Sequence, residues 1–162
     1  MRGYALNVLS LLMLSFLLML MMSSTARAAL LERVLPVSVN IVTHQASSDL
    51  EIVADKSAFL VVYSSASQHF LPLDIPFKVR SLSGLSMAYN LSMSQLGGLC
   101  DGVTPLVPSP TLDGAPIVLN QQYRFTGTEN AHVLTLSFPF LAQASLAQQC
   151  EGYARVVAEL TV

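Results

Sequence analysis

The chain has 162 residues, of which 52% are hydrophobic and 11% are charged, and its formal net charge is −2 at pH 7. A chain of this length predicts one domain with a sizeable core. Its weakly acidic charge argues against nucleic acid as a partner, because phosphate binding needs a concentrated basic surface.

The first 28 residues have the pattern of an export signal. Arg2 precedes an apolar run over residues 8–22, and the small-residue pattern Ala26-Arg27-Ala28 follows. The run is short for a membrane span, which needs about 20 residues. We therefore predict a signal peptide over residues 1–28, cleaved after Ala28, which leaves 134 of the 162 residues. Because Arg2 and Arg27 leave with it, six basic side chains remain against ten acidic ones.

A segment that alternates apolar and polar residues comes next. Its apolar side chains are Leu35, Val37, Val39 and Ile41, with Pro36, Ser38 and Asn40 between them. A period of two predicts a strand with one buried face. An unpartnered apolar strand invites pairing with another molecule, so this segment is the best functional clue in the sequence.

Short apolar runs between turn residues continue along the chain, and helical periodicity is weak. Strands are predicted over residues 50–53, 58–63, 75–80, 86–94, 117–119, 122–126, 132–138 and 153–162. A loop is predicted over residues 97–116, which contain four prolines. A hairpin turn is predicted over residues 127–130, and a turn of helix over residues 141–149.

This pattern of strands predicts an all-β fold, namely an immunoglobulin-like antiparallel sandwich, with a small barrel as the alternative. Alternation within the predicted strands indicates which side chains face the core. One such apolar face comprises Leu134, Leu136, Phe138 and Phe140.

The two cysteines of the chain are Cys100 and Cys150. In an exported protein a disulfide is the default state of such a pair. A pair without a histidine cluster makes a poor zinc site, and the chain has no Cys-x-x-Cys redox motif. We therefore predict a Cys100–Cys150 disulfide.

The sequence carries no pattern of a catalytic or metal site. The histidines, His44, His69 and His132, are far apart and have no carboxylates at ligand spacing. No Gly-x-Ser-x-Gly elbow precedes a helix. The acidic residues that crowd together are Asp49, Glu51 and Asp55, a group typical of a solvated face and turn. We expect a protein that is not an enzyme and binds no metal and no cofactor.

Two parts of the chain carry a resemblance to a known family. The first contains Leu35-Pro36-Val37-Ser38-Val39-Asn40-Ile41, then Asp49-Leu50, Ala54-Asp55 and Val62-Tyr63-Ser64-Ser65-Ala66-Ser67-Gln68-His69-Phe70. The second is Gly152-Tyr153-Ala154-Arg155-Val156-Val157-Ala158-Glu159-Leu160-Thr161-Val162. These stretches resemble the pilin subunits of the chaperone-usher pathway, in particular the alpha-class pilins of colonisation-factor fimbriae. The cysteine pair departs from the major pilins of that class, so a minor or divergent subunit fits as well as a shaft protein.

The resemblance implies a sandwich over residues 46–162 that lacks its final strand, and a donor segment over residues 29–45. A periplasmic chaperone fills the open groove first, and the donor segment of the next subunit replaces it. The implied donor residues are Leu35, Val37, Val39 and Ile41. The implied groove-bordering strand contributes Tyr153, Val156, Ala158, Leu160 and Val162. The implied partners are sister subunits in a head-to-tail polymer, the chaperone, an outer-membrane usher and a possible host receptor.

The resemblance thus implies a fimbrial subunit that passes through the periplasm to the bacterial cell surface. Burial of four donor side chains contributes about 6 to 12 kcal/mol gross, and ordering the segment costs about 1 to 2 kcal/mol per residue. Three alternatives remain open. Residues 35–43 could be the first strand of a complete domain, Tyr153 could be an ordinary residue at the core edge, and the protein could be a self-contained secreted binding module for a carbohydrate or receptor.

Overall fold

The structure is a computed structural model that describes residues 34–43, 49–143 and 148–161. Within these ranges the chain forms twelve strands and no helix. The strands are β1 (Val34–Thr43), β2 (Leu50–Ala54), β3 (Ala58–Ser64), β4 (His69–Phe70), β5 (Leu73–Ser81), β6 (Met87–Cys100), β7 (Thr104–Pro105), β8 (Ser109–Leu112), β9 (Ala115–Pro116), β10 (Gln122–Gly127), β11 (Glu129–Ser137) and β12 (Cys150–Leu160). The predicted signal peptide lies outside the described residues.

The strands form two sheets. Sheet 1 has the order β10-β6-β12-β1-β3-β4, with β7 paired to the end of β6. Sheet 2 has the order β2-β5-β11-β8-β9. This arrangement confirms the predicted all-β sandwich.

The core lies between the inner faces of the two sheets. On β5 the buried residues Ile75, Phe77 and Val79 alternate with exposed ones, and on β6 the buried residues are Tyr89, Leu91 and Met93. Each such side chain contributes about 1.5 to 3 kcal/mol when it leaves water. The predicted alternation of β6 is therefore confirmed.

The predicted loop over residues 97–116 is wrong at its start, because β6 continues to Cys100. A β-bulge at Ser94 shifts the register, so that Gln95 pairs with Arg155 and Met93 pairs with Val156. Beyond the bulge, Gly98 stays in the strand where neighbouring backbone crowds it. A Cβ there would lie 2.8 Å from the carbonyl oxygens of both Glu151 and Leu106. Here the glycine marks a close backbone approach and does not end the strand.

Two further predictions between β9 and β11 are wrong. Residues 117–119 form no strand, and Asn120 has a positive φ of 63° in a turn. Residues 127–130 form no hairpin, because β10 pairs with β6 in sheet 1 whereas β11 pairs with β5 in sheet 2. The chain passes from sheet 1 to sheet 2 at this turn. The crossing is determined by the pairing of β10 with β6 and of β11 with β5, and not by the turn residues.

The described part of the connection between β11 and β12 shows none of the predicted helix. Residues 141–143 and 148–149 are not helical, and residues 144–147 lie outside the described part of the chain. Phe138 packs against the core, but Phe140 is 68% exposed, so the predicted apolar face ends at Phe138. None of the described residues belongs to a helix long and apolar enough to cross a membrane.

Candidate functional site

β1 occupies an interior position of sheet 1, with a partner on each side. It runs antiparallel to β3, where Val37 lies opposite Phe59, and parallel to β12, where Val37 lies opposite Gly152. Among the described strands, this is the one parallel pair. In the single chain the strand thus lies in its own sheet, which is the in-chain arrangement named above as an alternative.

The inner face of β1 belongs to the core. Leu35, Val37 and Val39 are 0%, 2% and 2% exposed, whereas Pro36 and Ser38 face solvent. The predicted strand and its alternation are therefore present over residues 35–39. The side chain of Ile41 lies outside the described part of the chain, although the Ile41 backbone pairs with Val156.

A glycine on β12 lies opposite the middle of β1. A Cβ at Gly152 would lie 3.8 Å from Cγ2 of Val37 and 3.3 Å from the carbonyl oxygen of Gly97. The first distance is an ordinary van der Waals contact and the second is shorter, so a methyl group would need a small shift of the backbone at Gly97 and a larger side chain would be overpacked. Gly152 was not among the predicted site residues. Its only signal in the sequence is that it is a glycine at the start of an apolar, strand-like segment.

The predicted groove-bordering strand divides between two faces. Val156 and Ala158 are buried on the inner face of β12, next to β1, and Leu160 is half-buried. Tyr153 lies on the outer face and is 53% exposed, so the alternative of a residue at the core edge is wrong. Val162 lies outside the described residues.

The predicted disulfide is confirmed. Cys100 on β6 and Cys150 on β12 lie directly opposite each other, with their Cα atoms 4.0 Å apart. Both are buried. The bond thus joins β6 to β12 two residues before Gly152, where the pairing of β12 with β1 begins.

A buried polar cluster that the sequence did not reveal joins the two sheets. His132 on β11 is 3% exposed, and its Nδ1 lies 2.7 Å from Oδ2 of Asp113. Nε2 of His132 lies 2.8 Å from the hydroxyl of Tyr89 on β6, and Nδ2 of Asn130 donates to that hydroxyl at 2.8 Å. No carboxylate lies at ligand spacing from His132 in the sequence, and its partner Asp113 comes from 19 residues away.

The directions of these hydrogen bonds follow from the groups involved. The Asp113 carboxylate only accepts, so Nδ1 of His132 donates to it. Asn130 donates to the Tyr89 oxygen, which leaves the Tyr89 hydrogen to reach Nε2 of His132. Burial raises the pKa of Tyr89, the nearby Asp113 charge raises it further, and the Asn130 hydrogen bond opposes both. The cluster fixes the spacing of the sheets with a specific set of donors and acceptors.

Asp113 reaches His132 because of a tight turn. Asp113 and Gly114 have φ values of 52° and 81° between β8 and β9, a conformation that Asp-Gly pairs favour in two-residue hairpins. The Asp113 carboxylate also accepts from the backbone N–H of Val133 at 2.8 Å. The Asp-Gly pair was the one sequence signal for this placement, although the sequence did not predict the contact with His132.

The other candidates from the sequence lie apart from this cluster. Nδ1 of His69 lies 3.0 Å from the carbonyl oxygen of Phe70, and His44 is outside the described residues. Glu51 accepts from Nε of Arg80 at 2.5 Å on the outer face of sheet 2. Among the described residues, no three side chains of His, Cys, Asp or Glu are grouped as metal ligands would be.

Comparison of the sequence with models of known protein families and with curated proteins finds no match. The geometry alone therefore carries the functional argument. It singles out the interior place of β1 between β3 and β12.

Proposed function

We propose that this protein is a structural or minor subunit of a surface fimbria assembled by the chaperone-usher pathway. It polymerises by donating its N-terminal strand to a neighbour, and it contributes to adhesion. The observation that carries the proposal is the place of β1, the first described strand, between β3 and β12 with Leu35, Val37 and Val39 in the core.

The place of β1 supports exchange because the rest of the sandwich is incomplete without it. Removal of β1 would separate β3 from β12 and leave a gap beside the inner side chains Val61, Val156 and Ala158 of those two strands. Such a gap needs a strand that alternates in the same way, and a second copy of this chain carries one. This is strand addition between chains.

The energetics of exchange are nearly balanced, because a donated copy of β1 makes the same kind of contacts as the strand it replaces. The three buried side chains contribute about 5 to 9 kcal/mol gross, and both arrangements require that the strand be ordered. A strand from another chain is free of the link to β2, so it can enter in either direction. Either direction gives one parallel and one antiparallel pair, because β3 and β12 themselves run in opposite directions.

The partners follow from the same gap. A chain whose β1 is withdrawn exposes an apolar groove, and such chains aggregate unless the groove is covered. Covering it is the role proposed for a periplasmic chaperone, which then passes the subunit to an outer-membrane usher. Each subunit gives a strand at one site and accepts one at another, so the contact is head-to-tail and generates a filament. The Cys100–Cys150 disulfide supports passage through an oxidising compartment.

Deletion of residues 29–43 tests the proposal directly. The deleted chain, refolded with a synthetic peptide of sequence VLPVSVNIVT, should bind the peptide and remain monomeric in gel filtration. The same peptide with Val37→Asp should not bind, because a charge would enter the core. Polymers formed by the deleted chain would overturn the proposal.

A second candidate function is a self-contained secreted binding module. It is favoured by the in-chain pairing of β1 with both neighbours. The two candidates differ in behaviour, because a donor subunit expressed alone should be unstable or form a ladder of heat-resistant oligomers, whereas a complete module should be a stable monomer.

An added disulfide that fixes β1 in its own sheet distinguishes the two candidate functions further. Ser38 and Tyr153 lie opposite each other on adjacent strands, so the pair Ser38→Cys and Tyr153→Cys should form a disulfide that holds β1 in its own sheet. This added disulfide should abolish polymerisation. Mild reduction should restore polymerisation, because it opens the exposed added bond and spares the buried Cys100–Cys150 bond. Ser38→Cys alone is the control. A ladder that persists with the added disulfide intact would contradict donation.

A further inference from the structure

A groove on the outer face of sheet 1 lies apart from the buried face of β1. It has a volume of about 520 Å³ and is lined by Ser94, Gln95, Leu96, Leu119 and Tyr153. These residues come from β6, from β12 and from the turn before β10. None of the five side chains carries a formal charge.

Tyr153 forms a half-exposed aromatic platform in this groove. Gly97 lies opposite it on β6, and a Cβ at Gly97 would lie 2.9 Å from Oη and 3.1 Å from Cζ of Tyr153. The outer end of the ring therefore lies over bare backbone, in space that a side chain at position 97 would contest. The Tyr153 side chain is 53% exposed, and its neighbours Gln95 and Arg155 on the same face are exposed as well. An accessible tyrosine ring offers apolar area at little cost in side-chain entropy.

Two irregularities of the backbone bring the other residues to the platform. The β-bulge at Ser94 interrupts the register of β6 and re-aims Ser94 and Gln95. The turn before β10 is fixed by Asn120, which has a positive φ and whose N–H donates to the carbonyl oxygen of Met93 at 2.8 Å. This bond places Leu119 beside the bulge.

The chemistry of the lining indicates the class of ligand. A pyranose ring has one face of C–H groups and a rim of hydroxyls that both donate and accept. The Tyr153 ring and the Leu119 side chain match the apolar face, while Gln95, Ser94 and the Tyr153 hydroxyl supply donors and acceptors. Leu96 contributes to the floor of the groove, because its side chain packs against the core. An apolar lining with a few polar groups is typical of small-molecule sites. A charged ligand would find no counter-charge among the lining side chains.

We propose that this groove binds a neutral sugar ring, stacked on Tyr153 and hydrogen-bonded by Gln95 and Ser94. The groove is shallow and the ligand is small, so the dissociation constant for one ring is on the order of 1 mM. The site needs no polymer to bind. Its repetition along a fibre, which rests on the function proposed above, would raise the apparent affinity by roughly 100-fold or more through multivalency.

The test uses the mature chain, whose monomer fraction is first isolated by gel filtration, and four probes, namely D-galactose, D-glucose, D-mannose and N-acetyl-D-glucosamine, each titrated to about 50 mM, well above the expected constant. Nuclear magnetic resonance should show saturable shifts of the Gln95, Gly97 and Tyr153 signals with at least one sugar. Tyr153→Ala should weaken that binding by about tenfold or more, and Tyr153→Phe by about threefold or less, because the ring is retained.

A second variant and a matched control complete the test. Gln95→Ala should weaken binding several-fold while the ring stays in place. Phe140→Ala removes an aromatic side chain that is more exposed than Tyr153 and does not line the groove, so it should leave binding unchanged. Absence of saturable shifts with all four sugars, or unchanged binding by Tyr153→Ala, overturns the proposal. Polymerisation is measured separately, so failure here leaves strand donation standing.

Discussion

Val37 on β1 faces Gly152 on β12, and a Cβ at Gly152 would lie 3.8 Å from Cγ2 of Val37. The same Cβ would lie 3.3 Å from the carbonyl oxygen of Gly97, which is the tighter of the two contacts. A side chain at position 152 would therefore crowd the backbone of β6 and meet Val37 of β1 directly.

A larger residue at position 152 should loosen the place of β1. We expect Gly152→Val to destabilise the fold by about 1 to 3 kcal/mol through overpacking, measured by urea unfolding of the oxidised chain. Val37→Ala should relieve part of this cost, so the double variant should be more stable than the sum of the single effects predicts. Strictly additive effects would show that Gly152 and Val37 do not share the space.

Truncation of the inner face of β1 should be costly. Leu35 is fully buried, so Leu35→Ala should lower the free energy of unfolding by about 2 to 5 kcal/mol through lost burial and a cavity. Ser38→Ala changes an exposed position of the same strand and should stay within about 0.5 kcal/mol of the parent. Equal effects of the two changes would contradict the placement of β1 in the core.

Loss of the disulfide should weaken the junction of β6 and β12. The bond spans a sequence separation of 50 residues, for which the chain-entropy model gives about 4 kcal/mol. We expect the double variant Cys100→Ala, Cys150→Ala to lose stability of that order in urea unfolding. The reduced parent chain is the matched control and should lose a similar amount. No change in either sample would show that the bond constrains nothing in the unfolded chain.

The Tyr89 hydroxyl should matter to stability in a way that depends on pH. Tyr89→Phe leaves Nε2 of His132 without a donor and Nδ2 of Asn130 without that acceptor, which should cost about 1 to 3 kcal/mol near neutral pH.

Burial raises the pKa of Tyr89 in the folded chain above the ordinary value of 10.0. The unfolded chain therefore loses this proton first as pH rises, and the contribution of the neutral hydroxyl is complete below about pH 10 and lost above it. The difference in stability between parent and Tyr89→Phe, measured in urea from pH 8 to 11, should shrink above pH 10. A constant difference would contradict the raised pKa.

The sequence predicted much of the local structure because alternation is a local property. The buried and exposed residues of β1, β5 and the first half of β6 follow from a period of two. The continuation of β6 through Gly97 and Gly98 did not, because glycine ends strands in some surroundings and permits close packing in others. The distinction depends on Tyr153 and Glu151, which are more than 50 residues away in the sequence, and on Leu106, which returns to Gly98 after the loop.

The residues alone determined an all-β chain, the face of β1 that is buried and the pairing of two cysteines, because side-chain period and cysteine number need no knowledge of distant neighbours. Only the tertiary structure decided that β1 lies parallel to β12 in its own sheet, that His132 meets Asp113, and that Tyr153 lies across Gly97 on the outside. These contacts join residues far apart along the chain. Their energies depend on which strands become neighbours, and no local pattern encodes that choice.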